Sequence, residues 1–329
     1  MTTSDAVLER TKQQTGLVPV TLALADYDRT RPLIDGKVKP KGMSLQTNTA
    51  WIGDFCVRPV YEEYNAAEMS LSWYVMARLR GDPVVALPVF PLRMPVLAYV
   101  FVREDSPYTK PQDLAGKRIG TMLYRITVNL WLRGIFEEQY GVSPNDVNWI
   151  ITSKEEGAGF VAPPGLKLSK RTDATEEELL ERGEVDAIFV PELPEKFVAG
   201  NSGFRRLFPD TQSEMQALVR RLGHMPITHT VVMNKSLADR EPWIARNLTQ
   251  ALIESQDYCD EYLSHPKRVS MPDAVFILEQ QRAMHGPKPY IHGLEPNRKV
   301  LETFVRYAHR QGYIPRVPAL EELFPSFDK

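Results

Sequence analysis

Apolar and polar positions along the chain fall into blocks that switch between a period of two and a period of 3.6. Val18–Ala25 (VPVTLALA) has a buried-strand pattern and stops abruptly at Asp26. Gly42–Thr49 alternates as a second strand, and Trp51–Asn65 reads as a helix interrupted by Pro59. Ala67–Tyr74 predicts a short strand running into a helix, with Ser70 and Ser72 at the junction. Val84–Phe90 and Met94–Val102 are buried strands, the second apolar throughout and so placed centrally in its sheet. Lys117–Gly120 predicts a strand that breaks into a loop over Thr121–Arg125. The helix after it carries Val128, Trp131, Leu132 and Ile135 on one face and Asn129, Arg133 and Glu137 on the other, and Gly141 stops it. Val147–Ile151, Val185–Val190 and Thr228–Met233 are further strands, and Ser153–Arg171 is a Gly-, Pro- and Lys-rich surface excursion. Thr175–Arg182 is a short helix with a capping box from Thr175 and Glu178. Trp243–Leu263 is a long amphipathic helix with Ile244, Leu248, Ala251, Leu252, Cys259 and Tyr262 aligned. Asn297–Gln311 aligns Val300, Phe304, Tyr307 and Ala308.

Strands alternating with helices give an α/β fold with mostly parallel sheets. Turn-rich stretches near 103–112 and 220–227 mark two crossings between lobes. Residues 1–105 and 225–329 then form a discontinuous first lobe and 106–224 a second. That is a two-lobed hinge architecture of the periplasmic-binding type, with a small ligand expected in the cleft between the lobes.

Composition narrows the chemistry. A net charge of −2 with interspersed signs gives no electrostatic case for nucleic acid or an anionic membrane surface. No apolar run approaches the roughly 18 residues of a bilayer span, and the polar N-terminal stretch has no secretory apolar core. Cys56 and Cys259 are far apart, and Cys259 on an apolar helix face predicts a buried thiol, so a cytoplasmic location is expected. The six histidines show no metal-ligand spacing, and no phosphate-binding glycine motif or nucleophile elbow occurs.

Two junctions carry candidate chemistry. Asp26-Tyr27-Asp28-Arg29-Thr30-Arg31 directly follows an apolar strand, where α/β sheets place ligand contacts; a helix cap by Asp28 beside solvated arginines is the alternative. The strand, loop and helix over 117–142 would form an anion site, with Arg125 and Thr127 adding a forked cation and a hydroxyl. The alternative there is an ordinary βα unit with a solvated Arg125.

Several junctions together resemble one family. They are Ala25-Asp26-Tyr27-Asp28-Arg29-Thr30-Arg31-Pro32-Leu33-Ile34-Asp35-Gly36, Glu68-Met69-Ser70-Leu71-Ser72, Pro88-Val89-Phe90-Pro91-Leu92-Arg93 and Asp113-Leu114-Ala115-Gly116-Lys117-Arg118-Ile119-Gly120. Pro226-Ile227-Thr228-His229-Thr230-Val231-Val232 and Gly293-Leu294-Glu295-Pro296-Asn297-Arg298 extend the match over about residues 20–312. This order resembles the 4,5-dihydroxyphthalate decarboxylase family. The resemblance implies a fold similar to type II periplasmic binding proteins. It also implies non-oxidative removal of one carboxylate from a dihydroxylated aromatic diacid, with no organic cofactor.

On that reading a hydroxylated aromatic carboxylate would be clamped by Arg29, Arg93 and Arg125, because guanidinium binds carboxylate bidentately. His229 would deliver the proton to the ring carbon and Asp28 would polarise the phenol. Tyr27, Ser70, Ser72, Tyr124 and Thr127 would add substrate hydrogen bonds, and Glu192 would close the cleft or pin the hinge. After Arg93 the chain reads Met94-Pro95-Val96-Leu97 where the family usually carries an Arg-His-Ser run. A small-carboxylate binding protein of the same fold, without turnover, is therefore the alternative to a decarboxylase. The expected partner is a small aromatic carboxylate, with no nucleic acid or membrane, and a homo-oligomer stays open.

Overall fold

A computed structural model describes residues 16–49, 59–153, 162–201 and 203–327. Eleven strands are described: β1 (Val18–Leu24), β2 (Met43–Thr49), β3 (Ala66–Ser70), β4 (Val84–Leu87), β5 (Val100–Arg103), β6 (Arg118–Thr121), β7 (Asn148–Ile151), β8 (Lys167–Lys170), β9 (Ala187–Phe189), β10 (Phe204–Arg206) and β11 (His229–Asn234). Five helices matter below: α1 (Leu71–Arg80), α2 (Thr127–Tyr140), α3 (Pro242–Leu263), α4 (Ala274–His285) and α5 (Leu294–Arg310).

The chain divides into two compact units. Unit 1 takes the chain up to Arg93, His229–Arg298 and the stretch from Pro318 on, and unit 2 takes Met94–Thr228 and Lys299–Val317. The exchanges therefore fall at 93/94 and 228/229 rather than at the predicted 105/106 and 224/225, and residues 299–317 fold with unit 2. The turn-rich stretch at 103–112 is an ordinary connection leaving β5.

Unit 1 is a five-stranded sheet in the order β2-β1-β3-β11-β4. β1 lies parallel to β2 and β3, whereas β11 runs antiparallel to β3 and β4. Apolar residues of β1, β4 and β11 pack with Ile244, Ala245, Leu248, Ala251 and Leu252 of α3 in one core. Tyr262, expected on that buried face, is exposed in the last turn of α3.

Unit 2 is a six-stranded sheet in the order β10-β5-β9-β6-β7-β8. β6, β7, β8 and β9 pair in parallel, and β5 pairs antiparallel with β9 and β10. Both sheets are thus mixed rather than mostly parallel, because in each a strand that enters from the other unit runs backwards. The predicted strand Met94–Val102 is shorter than expected. Val96–Tyr99 forms a 3-10 turn after Pro95, and only Val100–Arg103 joins the sheet. A continuous apolar run does not by itself distinguish a strand from another buried conformation.

The capping box at Thr175 and Glu178 forms as predicted, and Gly141 ends α2 in the left-handed conformation at φ 69°. α2 is buried around most of its circumference, with Asn129 and Arg133 inside as well as Trp131 and Leu132. Cys56, the first part of the helix predicted over Trp51–Asn65 and part of the 153–171 excursion lie outside the described residues. Among the described residues no helix is long and apolar enough to cross a membrane.

Candidate active site

β3 reads Ala66-Ala67-Glu68-Met69-Ser70 and is buried at every position. A carboxylate inside such a strand is tolerated only with hydrogen-bond donors around it. Glu68 has them, and its side chain has no exposed surface. His229 Nδ1 lies 2.7 Å from Glu68 Oε1, the Tyr27 hydroxyl donates to the same oxygen at 3.0 Å, and the Ala25 backbone N–H donates to Oε2 at 3.1 Å. The imidazole is placed by pairing: β11 runs antiparallel to β3 with His229 opposite Ser70. A carboxylate at Nδ1 fixes the tautomer and orientation of the ring and leaves Nε2 as its second proton site. The His229 side chain is 9% exposed, so the ring lies at the border between the interior and solvent.

The loop after β1 is built to hold this geometry. Thr30 Oγ1 donates to the Ala25 carbonyl at 2.8 Å and accepts the Tyr27 N–H at 2.9 Å. Ser255 Oγ on α3 donates to the Arg29 carbonyl at 2.8 Å. The Arg29 guanidinium sits between two rings, 4.0 Å from the Tyr27 centroid and 4.4 Å from that of Tyr290, and its Nε donates to the Pro91 carbonyl at 2.5 Å. Thr30, rather than Asp28, occupies the cap position of the short helix Arg31–Ile34.

Asp28 lies outside the hydrogen bonds of Glu68. Its carboxylate is 58% exposed, pairs with Arg29 at 3.2 Å and has no contact with the Glu68 network. With Arg29, Gln256, Cys259, Asp260 and Tyr290 it lines a cavity of about 230 Å³ in unit 1. Burial, reinforced by the charges of Asp28 and Asp260, pushes the Cys259 thiol up to about 12, so it is held protonated as a thiol. Ser70 and Ser72 are buried with their hydroxyl oxygens 3.4 Å apart, and neither caps α1 through its side chain. Arg93 is buried, and its Nη2 donates to the Ile291 carbonyl at 2.7 Å and to Asn297 Oδ1 at 2.6 Å. Burial pulls this guanidinium down to about 10, which still leaves it charged at neutral pH. Here Arg93 ties its loop to α5 through neutral acceptors. The same surroundings act on His292, whose Nδ1 accepts the Phe90 N–H at 3.2 Å. Burial, then the positive charges of Arg93 and Arg29, push it down to about 3.

Unit 2 contains the second predicted junction. Thr127 is the first residue of α2, and the cap position is Ile126, which has no side-chain acceptor. Tyr124, Arg125 and Thr127 are all buried, so Arg125 is not the solvated cation of an ordinary βα turn. The loop is clamped from below. Asn129 Nδ2 donates to Thr121 Oγ1 at 2.8 Å and to the Leu123 carbonyl at 2.7 Å. The Tyr313 hydroxyl donates to the Tyr124 carbonyl at 3.0 Å and itself accepts from Arg133 Nη2 at 2.5 Å. The Arg133 guanidinium lies 3.7 Å from the Tyr124 ring centroid. Glu192 is exposed in the turn after β9.

The structure thus joins Tyr27 and His229 on Glu68, with Arg29 against the Tyr27 ring and Ser70 opposite His229 in the ladder, and buries Tyr124, Arg125 and Thr127 in one loop of unit 2. Glu68 was absent from the residues expected to act. Its signal in the sequence was present: a single acid in an otherwise small and apolar strand.

Comparison with known proteins bears on the same residues. The family described as NMT1/THI5 like matches residues 68–158, beginning at Glu68. The 4,5-dihydroxyphthalate decarboxylase of Comamonas testosteroni is 32% identical over 315 residues, covering 93% of this chain and 96% of that protein. A second protein of that name, from Pseudomonas putida, is 32% identical over 214 residues, covering 62% of this chain and 83% of its own length. Among solved structures, a putative periplasmic sulfonate-binding protein of Methylobacillus flagellatus aligns with a TM-score of 0.59 at 13% identity, covering 94% of this chain and 91% of that one. The aliphatic sulphonate binding protein of Escherichia coli aligns at 0.53 and 14% identity, covering 94% and 92%. At such identities the likeness concerns the two-lobed α/β fold alone.

Proposed function

Because this chain belongs to the 4,5-dihydroxyphthalate decarboxylase family, we propose that it removes carbon dioxide from a hydroxylated aromatic diacid of the phthalate class without an organic cofactor. The observation that carries this reading is the Glu68–His229 pair, a buried carboxylate bonded to Nδ1 of an imidazole at the edge of the interior. In the proposed reaction His229 Nε2 gives a proton to the ring carbon that bears the departing carboxylate, aided by electron release from the para hydroxyl. The carbon–carbon bond then breaks, its electron pair returns to the ring, and the carboxylate leaves as carbon dioxide. His229 regains its proton from water, and Glu68 stabilises the imidazolium between turnovers.

Arg29, with its plane fixed between Tyr27 and Tyr290, is the arginine of unit 1 suited to hold a carboxylate. Asp28, exposed beside it, is the acceptor assigned to a phenol in this scheme. Arg125 is the carboxylate-binding arginine proposed for unit 2, with Tyr124 and Thr127 as its neighbours.

A solute-binding protein of this fold would take up the same acid and return it unchanged. Incubation of the pure protein with 4,5-dihydroxyphthalate, with calorimetric binding and carbon dioxide release followed side by side, separates the two. The reading predicts stoichiometric release with loss of one carboxylate from the ring; saturable binding with no release refutes it.

A further inference from the structure

α2 carries a buried guanidinium inside unit 2 that has no ion-pair partner among the described residues. Arg133 is 1% exposed. Its Nε donates to Gln311 Oε1 at 2.8 Å and its Nη2 to the Tyr313 hydroxyl at 2.5 Å. Both acceptors are neutral, and Nη1 has no hydrogen-bond partner. The rings of Tyr124, Trp149 and Tyr313 lie around it, with centroids 3.7, 5.3 and 5.9 Å away. A guanidinium keeps its charge in proteins, and a buried charge without a counter-ion is costly.

Side chains on a helix lean toward its N-terminus, and that of Arg133 reaches back to Tyr124, ahead of the first turn of α2. Its charge therefore adds to the positive end of the helix dipole and to Arg125, where like signs repel and an anion is stabilised. A bonded path leads from it into the loop. Arg133 donates to the Tyr313 hydroxyl, which donates to the Tyr124 carbonyl at 3.0 Å. Burial pushes the Tyr313 phenol up, against the pull of Arg133, so the hydroxyl keeps the proton it donates. In a trans peptide the N–H points opposite to the carbonyl, so this contact aims the Arg125 N–H away from Tyr313. Asn129 Nδ2, donating to the Leu123 carbonyl, sets the Tyr124 N–H in the same way. A charged donor at the head of such a chain polarises the bonds along it.

We propose that Arg133 is a positioning residue for an aromatic carboxylate bound at this loop. Acting through Tyr313, it fixes and polarises the Tyr124–Arg125 peptide, and the bound carboxylate supplies the counter-charge that the protein does not. The inference rests on the reading that Arg125 and its neighbours take a carboxylate. An arginine is kept at a site lined by three aromatic rings, where an apolar residue of similar volume would pack, because its field serves the ligand.

Calorimetric titration of the full chain with phthalate, which lacks the hydroxyls that drive turnover, tests this beside thermal unfolding of the ligand-free protein. Arg133→Met fills the same space without the charge. It should raise the phthalate Kd at least about tenfold, while Tm stays within about 4 °C of the parent or rises. A side chain that served packing alone would lower Tm and leave the affinity unchanged. Tyr313→Phe keeps the cation but cuts the path, and should raise Kd about threefold or more; it decides the matter if Arg133→Met does not fold. An unchanged Kd in either variant, or a loss of affinity matched by a falling Tm, overturns the inference. Arg125→Ala separates the two readings. If it binds phthalate as tightly as the parent, or if the parent does not bind, the carboxylate assignment fails and the inference with it. Binding lost in Arg125→Ala but kept in Arg133→Met overturns the role of Arg133 alone.

Discussion

Glu68 has no exposed surface, so its charge persists only where donors surround it, and Tyr27, His229 and the Ala25 N–H are those donors. Replacing it with glutamine keeps the volume but offers His229 Nδ1 a neutral acceptor or, with the amide turned, a competing donor. Glu68→Gln should therefore lower kcat by about a hundredfold or more while the protein stays folded; steady-state kinetics beside circular dichroism checks this. His292 gives a second prediction at this scale. Its folded-state value of about 3 lies below the ordinary 6.5, so between those limits the unfolded chain binds a proton that the folded chain does not. Its contribution to stability is complete above pH 6.5 and is lost as pH falls toward 3. His292→Gln should flatten the fall in Tm between pH 6.5 and 4, and equal slopes for variant and parent would refute it. Of the candidate residues, Tyr27 could be read from the polar burst that follows β1, whereas His229, inside a β-branched strand, was singled out by the family resemblance and by the chemistry of imidazole. Glu68 could not be assigned a role, because nothing in one chain says that β11 will lie beside β3. Asp28 read as part of the same burst, yet one residue of rotation along the loop turns it toward Cys259 and away from Glu68.

At the scale of elements, the contact between α2 and α5 allows little change. Gly134 lies against the ring of Tyr307, and a methyl group there would overlap it. Gly134→Ala should destabilise the protein by about 1–3 kcal/mol through overpacking, despite the better helix propensity of alanine. Chemical denaturation measures the change, and an unaltered midpoint would show that the two helices separate freely. α2 itself was legible from its apolar spacing and from Gly141. What spacing could not show is that its second face is also buried, with Arg133 among Tyr124, Trp149 and Tyr313 and bonded to Gln311 and Tyr313. Such a cation reads as solvent-facing until the residues from 307–313 are known to cover it. The run Met94–Val102 failed for the opposite reason. Its apolar character reports burial, and Pro95 together with the turn at Val96–Tyr99 decides the conformation.

At the scale of the molecule, alternating strands and helices specified an α/β fold, and the two sheets bear that out while being mixed in direction. Strand direction in each unit depends on which segments return from the other, and this is set by tertiary pairing rather than by local pattern. The function proposed for the whole protein depends on a single proton passing through His229, whose orientation Glu68 sets. The most direct measurement compares kcat for 4,5-dihydroxyphthalate with its calorimetric Kd in the wild type and in His229→Gln. The account predicts that kcat falls at least about a hundredfold while Kd changes by less than about threefold. Turnover by His229→Gln within about threefold of the wild type would contradict it.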